Sequence, residues 1–124
     1  MDNNLTHLLA DSLLKVWSER NDNRRMDVMK QIYATDIIFY ETDKGQAIKG
    51  HQEIDDLIKK LQEQWPPEFV FTLTKPAVMN HGVSHVAWKL GPANGTPVAS
   101  GMDIAIIENE LIKELYLYLD DPAN

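Results

Sequence analysis

The stretch Val98-Ala99-Ser100-Gly101-Met102-Asp103-Ile104-Ala105-Ile106-Ile107 decides the fold. It is long, apolar and alternating, which predicts a strand. One face carries Ala99, Gly101, Asp103, Ala105 and Ile107. The other carries Val98, Ser100, Met102, Ile104 and Ile106. Small side chains on the first face leave space, and a lone carboxyl sits in its middle. That face is expected to look into a hollow. The second face is mostly apolar and points the opposite way.

The period of two persists on both sides of this strand. Glu108-Asn109-Glu110 reads as a turn into a last strand, 111–119. Leu111, Leu115, Leu117 and Leu119 lie on one face of that strand, Ile112, Tyr116 and Tyr118 on the other. Upstream, Gly91-Pro92-Ala93-Asn94-Gly95 is a loop and 83–90 a strand. There Val86, Trp88 and Leu90 oppose His85, Ala87 and Lys89. Lysine is rarely buried unpaired, so Trp88 is placed inward. Asn80-His81-Gly82 is a hairpin turn. Before it, Phe69, Phe71 and Leu73 alternate with Val70, Thr72 and Thr74 in a long strand that Pro76 bulges or leaves at an edge. Such short loops make neighbouring strands antiparallel.

The first half has a different period. Leu5, Leu8, Leu9, Leu13, Val16 and Trp17 predict an amphipathic helix over about 5–19. Asp22 or Asn23 is expected to cap a second helix carrying Val28, Met29, Ile32 and Tyr33. Asp36-Ile37-Ile38-Phe39-Tyr40-Glu41 reads as a strand and Asp43-Lys44-Gly45 as a turn. After Gly50, a third helix over about 51–64 buries Ile54, Leu57, Ile58 and Leu61, with Trp65 continuing the stripe. Gln52 and Glu53 fall in its first turn, where the helix dipole favours acid. Pro66-Pro67 ends it. The expected class is α+β: a cone-shaped, curved antiparallel or mixed sheet whose concave face is covered by three helices from the N-terminal half. Hollows of this kind are common small-molecule sites.

Composition limits the function. A chain of 124 residues suits one domain, 1–124. There is no cysteine, so disulfide and thiolate chemistry are excluded. The net charge is −7, and the one dense basic spot, Arg20 with Arg24 and Arg25, is interrupted by Asp22 and Asp27. Phosphate-gripping proteins need clustered cations, so nucleic acid is not expected as a partner. No apolar run nears the ~20 residues needed to span a bilayer. Met1-Asp2-Asn3-Asn4 does not open a secretory signal. The expectation is a cytoplasmic protein with no membrane partner.

The order of several short motifs resembles the nuclear-transport-factor-2-like superfamily, and within it the SnoaL-like polyketide cyclases and ketosteroid isomerases. The motifs are Trp17 at the end of the first helix, Ile32-Tyr33-Ala34-Thr35-Asp36, Gly50, Val86-Ala87-Trp88-Lys89-Leu90-Gly91, Gly101-Met102-Asp103 and Leu111-Ile112 leading to Leu115-Tyr116-Leu117-Tyr118-Leu119-Asp120. Together they cover nearly the whole chain. The resemblance implies a cystatin-like α+β roll. It also places Asp103 at the catalytic acid of the cyclases and the oxyanion-hole acid of the isomerases, Glu41 near the isomerase base, and Trp17 where the isomerase has its oxyanion tyrosine. An indole offers only an N–H donor in place of the phenol, so the full isomerase constellation is absent.

The residues themselves name the same site. An acid within an apolar, small-residue strand is desolvated, which raises its pKa toward neutral and suits proton transfer. The plainer alternative is that Asp103 hydrogen-bonds Trp17, Trp88 or backbone and organises the pocket. Glu41, at a strand end, reads as a rim carboxylate. Trp17, Tyr33, Phe39, Trp65, Phe71, Trp88 and Leu117 are candidates for lining the ligand site, with core packing the alternative for Tyr33 and Phe71. His51, His81 and His85 show no converging third ligand, so no metal is expected, and no organic cofactor either. Asp120-Asp121 reads as a solvated tail. The apolar outer face, with Met102, Ile104, Tyr116 and Tyr118, predicts a sheet-on-sheet homodimer. The function expected is binding of a small hydrophobic molecule, with acid–base isomerisation, cyclisation or dehydration at Asp103 and Glu41; the alternative is a non-catalytic ligand-binding or dimerisation module.

Overall fold

A computed structural model describes the backbone of residues 3–120 and the side chains of residues 5–120. The first helix, α1, spans 3–17 in three windings: a 3-10 turn (Asn3–Thr6), an α-turn (His7–Asp11) and a π-helical end (Ser12–Trp17). The wide final turn is closed by Ser18 N donating to Leu13 O at 3.0 Å. It turns Ser12, Leu13, Val16 and Trp17 to the interior together.

Helix α2, Asp22–Ile32, is capped by Asn21, whose side chain accepts from Arg24 N at 2.9 Å. The cap is therefore one residue earlier than expected, because Asn21 holds the extended backbone that an N-cap requires. Helix α3 is Gly50–Gln64. Glu53 reaches back to accept from Lys49 N at 2.9 Å, satisfying a donor the helix leaves open. Trp65 is already extended before Pro66.

The strands are β1 (Tyr33–Tyr40), β2 (Ile48–Lys49), β3 (Phe69–Leu73), β4 (Val78–Asn80), β5 (Val83–Pro92), β6 (Ala99–Glu108) and β7 (Leu111–Leu119). They form one mixed sheet in the order β2-β1-β7-β6-β5-β3, with β4 also on β5. β1 runs parallel to β7, and the other neighbours are antiparallel. Leu73 pairs with Trp88 and Val78 with His85, so Pro76 sits in a bulge that divides one expected strand into β3 and β4. His81 and Gly82 both have positive φ, as a two-residue hairpin turn of this hand demands. Asn109 and Glu110 make the same turn with φ of 54° and 66°.

The faces of β5 and β6 lie as the alternation predicts. Val86, Trp88 and Leu90 are buried on β5, and Gly101, Asp103, Ala105 and Ile107 on β6. β7 departs from simple alternation. The register slips between Ile106, opposite Glu114, and Ile107, opposite Ile112. This bulge puts Ile112 inside with Leu115, both fully buried, instead of on the outer face with Tyr116 and Tyr118.

The helices cover the inner face of the sheet, and Leu9, Val16, Met29, Ile37, Ile54, Ile58, Ile112 and Leu115 form its fully buried centre. Arg25 is fully buried in the helical layer. Its Nε meets Asp55 Oδ1 at 2.7 Å, and its Nη atoms reach Asp22 and the Glu19 carbonyl. Arg20 donates to the carbonyls of Gln62 and Pro66. Two of the three cations in the basic spot thus fasten α2 and the turn before it to α3. Asp120 is held to β6 by its N–H on Ser100 O and its carboxylate on the Ser100 hydroxyl; Asp121 lies outside the described residues. No helix among the described residues is long and apolar enough to cross a membrane.

Candidate functional site

Between the helices and the inner face of the sheet lies a partly open cavity of about 220 Å³. It runs across the strands. Phe39 on β1 and Glu41 just beyond it stand at one end, Leu117 of β7 and Asp103 of β6 in the middle, and Trp88 of β5 and Phe71 of β3 at the other end. From the helical side, Trp17 meets Phe39 edge-on at 5.3 Å, while Trp65 meets Phe71 at 5.8 Å and Phe71 meets Trp88 at 5.1 Å, also edge-on. Two aromatic groups therefore flank one carboxyl.

Asp103 is 5% exposed. It pairs with Val86 on one side and Leu117 on the other, so its neighbours in register are apolar. Trp88 Nε1 donates to Asp103 Oδ1 at 2.9 Å. Burial raises the carboxyl pKa to about 7, against the smaller downward pull of the Trp88 hydrogen bond. At neutral pH the group is divided between acid and carboxylate, with one oxygen tied to the indole.

Trp17 contributes its ring to the cavity wall, but its N–H donates to the Tyr33 hydroxyl at 3.3 Å. The oxyanion-donor place implied by the resemblance is thus occupied by a donor already engaged. The Tyr33 hydroxyl also shares a 2.5 Å hydrogen bond with Ser12 Oγ. Tyr33 is 1% exposed and stands apart from the cavity lining, which corrects its expected place in the ligand site. The π-helical end of α1 turns Ser12 and Trp17 inward, and their polar atoms need the phenol there. Burial pushes the Tyr33 phenol pKa up, Ser12 and Trp17 pull it down, and the nearby Asp103 adds a further rise.

Glu41, Trp17, Phe39, Trp65, Phe71, Trp88, Leu117 and Asp103 all line the cavity. Leu13, Leu61, Leu90, Val98, Ala99 and Leu119 complete it. Of these, Val98 was expected on the outer face of β6. The strand begins only at Ala99, so strand alternation does not reach Val98, which sits exposed at the mouth. Leu13 and Leu61 belong to helical stripes that give no sign of cavity rather than core. Ser12 falls within the buried stripe of α1, and a hydroxyl there was the available signal for a buried partner.

The histidines lie elsewhere. His51 Nε2 donates to the carbonyls of Tyr33 and Ala34 at 3.2 and 3.1 Å, and His81 Nδ1 lies 2.5 Å from its neighbour Asn80 Oδ1. No cluster of three or more His, Asp or Glu side chains among the described residues could hold a metal ion.

No protein-family model and no curated relative matches the sequence. Solved structures do match in shape. A candidate isomerase of the SnoaL-like family from Agrobacterium tumefaciens superposes with a TM-score of 0.81 at 22% identity, over 95% of this chain and 99% of that one. A candidate SnoaL-like polyketide cyclase from Jannaschia gives 0.76 at 12% identity, over 96% and 87%. A candidate ketosteroid isomerase from Kribbella flavida gives 0.67 at 14% identity, over 98% and 82%. Identities this low speak for the fold and leave the chemistry to the site. The chain has the curved-sheet α+β fold of the SnoaL-like and nuclear-transport-factor-2-like proteins.

Proposed function

We propose that the cavity receives a small, mostly apolar organic molecule and that Asp103 moves a proton on it, as acceptor or donor in an isomerisation, cyclisation or dehydration. One observation carries this reading: a carboxyl with a near-neutral pKa stands in the wall of an apolar cavity with one oxygen fixed by Trp88. Such a group can take or return a proton near physiological pH. Trp17, Phe39, Trp65, Phe71, Trp88 and Leu117 shape and seat the ligand, and Glu41 assists from the rim. The reaction so described draws on no metal and no organic cofactor. That similar structures carry isomerase and cyclase names supports the reaction class.

The test is exchange of carbon-bound hydrogen in D2O, followed by proton NMR over a panel of small ketones. Asp103→Asn is expected to slow exchange by roughly 100-fold or more, the usual contribution of one positioned acid–base group. Exchange at the wild-type rate in that variant removes the catalytic role. The second reading is a non-catalytic binding module. It is favoured by the Trp17 N–H, which is committed to Tyr33 and not available to a developing oxyanion.

The same proposal includes a homodimer formed through the outer face of the sheet. Met102, Ile104 and Tyr116 are only half-buried there and Tyr118 is exposed. Tyr116 stacks on Tyr40 at 4.6 Å, which extends the apolar surface onto β1. Contiguous apolar surface of this kind marks interfaces.

A further inference from the structure

We infer that the cavity selects a cationic ligand: a small apolar molecule carrying a protonated nitrogen. This deepens the proposal above and rests on the cavity being a ligand site. Among the described residues, the wall contains two carboxyl groups, Asp103 and Glu41, and no lysine, arginine or histidine. It also contains five aromatic rings, including all three tryptophans of the chain.

The three charge classes of ligand fare differently in such a space. An anion would be desolvated against two carboxyls with no counter-charge, which is strongly unfavourable in a confined apolar site. A neutral molecule gains contact with the rings but brings no counter-charge to a carboxylate in the wall. A cation can meet ring faces and a carboxylate together; each contact favours charge that has left water. The indole N–H groups of Trp17 and Trp88 are already donated to Tyr33 and Asp103, which leaves the uncharged Trp65 indole as the wall's indole donor to an anionic oxygen, with no cation to balance the charge. Glu41 and Asp103 keep acceptor oxygens for a ligand N–H. The chain's net charge of −7 raises the local concentration of cations in the same sense.

The experiment uses three probes on one skeleton: 2-phenylethylammonium, 2-phenylethanol and phenylacetate. Each is titrated into the whole protein at about pH 8, above the Asp103 midpoint of about 7, with tryptophan fluorescence as the reporter. The ammonium should bind about tenfold tighter than the alcohol or better, the scale of one charge-assisted contact, and phenylacetate should bind most weakly. Glu41→Gln and Asp103→Asn should each narrow the ammonium-to-alcohol ratio. Equal affinity for ammonium and alcohol, or tightest binding of phenylacetate, overturns the charge preference while the cavity remains a ligand site. A preference unchanged in the Glu41→Gln, Asp103→Asn double variant also overturns it. Failure of all three probes to saturate removes both the preference and the ligand site.

Discussion

The indole of Trp88 lies across β6 and hydrogen-bonds Asp103 at 2.9 Å, although the residue facing Trp88 in register is Gly101. A Cβ on Gly101 would stand 2.9 Å from Trp88 Cζ2 and 2.6 Å from the Tyr118 carbonyl oxygen. The missing side chain is what lets the ring cross the strand. Gly101→Ala is expected to cost about 1–3 kcal/mol, the range for overpacking a close-fitted site. Urea unfolding measures the loss and near-UV circular dichroism the displaced indole. An unchanged midpoint would mean that both the ring and the Tyr118 carbonyl have room to shift.

Trp88→Phe keeps an aromatic wall and deletes the N–H. Since that hydrogen bond holds the Asp103 pKa down, the variant should ionise at a higher pH than the wild-type value of about 7. The pH midpoint of hydrogen exchange on a ketone substrate should move upward. A midpoint that stays or falls would show that the hydrogen bond does not tune this acid.

The raised pKa has a definite effect on stability. In the unfolded chain Asp103 releases its proton near the ordinary value of ~3.9, while the folded protein holds it until about pH 7. At this group the native state therefore binds more protons across that window, and the part of the stability that Asp103 contributes falls as pH rises from about 4 to 7. Asp103→Asn lacks this slope. Relative to wild type it should gain up to a few kcal/mol between these limits, read from thermal melts at a series of pH values. Parallel curves for the two proteins would contradict the account.

Arg25 and Asp55 form an ion pair with both side chains buried, at 2.7 Å. Removing Arg25 leaves the buried Asp55 carboxylate with only the half-exposed Lys59, 3.3 Å from its other oxygen, so Arg25→Ala should lose about 3 kcal/mol, the lower end for breaking a buried pair. Arg25→Met together with Asp55→Leu should recover much of that loss, because apolar packing replaces the pair. If the double variant is less stable than Arg25→Ala, the pair does more than neutralise itself.

For the outer face, Ile104→Glu places a charge between Tyr116 and His85 in the central row of the sheet. Sedimentation should show a dimer for wild type and a monomer for the variant. A wild-type monomer at micromolar concentration dismisses the sheet-on-sheet dimer.

Much of this architecture is written locally in the sequence. Alternation placed Asp103 and Trp88 on the inner face, and Asn80-His81-Gly82 marked a hairpin by turn chemistry alone. What escaped depends on partners distant in the chain. Ile112 moved inside because β7 slips against Ile106 and Ile107, and no property of β7 by itself dictates a bulge. Asp55 lies outside the apolar stripe of α3, and only the approach of α2 gives it Arg25. Tyr33 shares the composition of the other aromatic candidates, yet Ser12 and Trp17 draw its hydroxyl away from the cavity. Within the site, ring and acid identities were legible, whereas the direction of each N–H was not.

The central claim is that one acid is sequestered from water at the cavity wall. It is tested most directly by titrating the carboxyl carbon of Asp103 in the folded protein by 13C NMR, assigned with Asp103→Asn. A midpoint near 7 is predicted; a midpoint near the ordinary aspartate value of ~3.9 would mean that the carboxyl is solvated and that the proposed proton transfer has no basis.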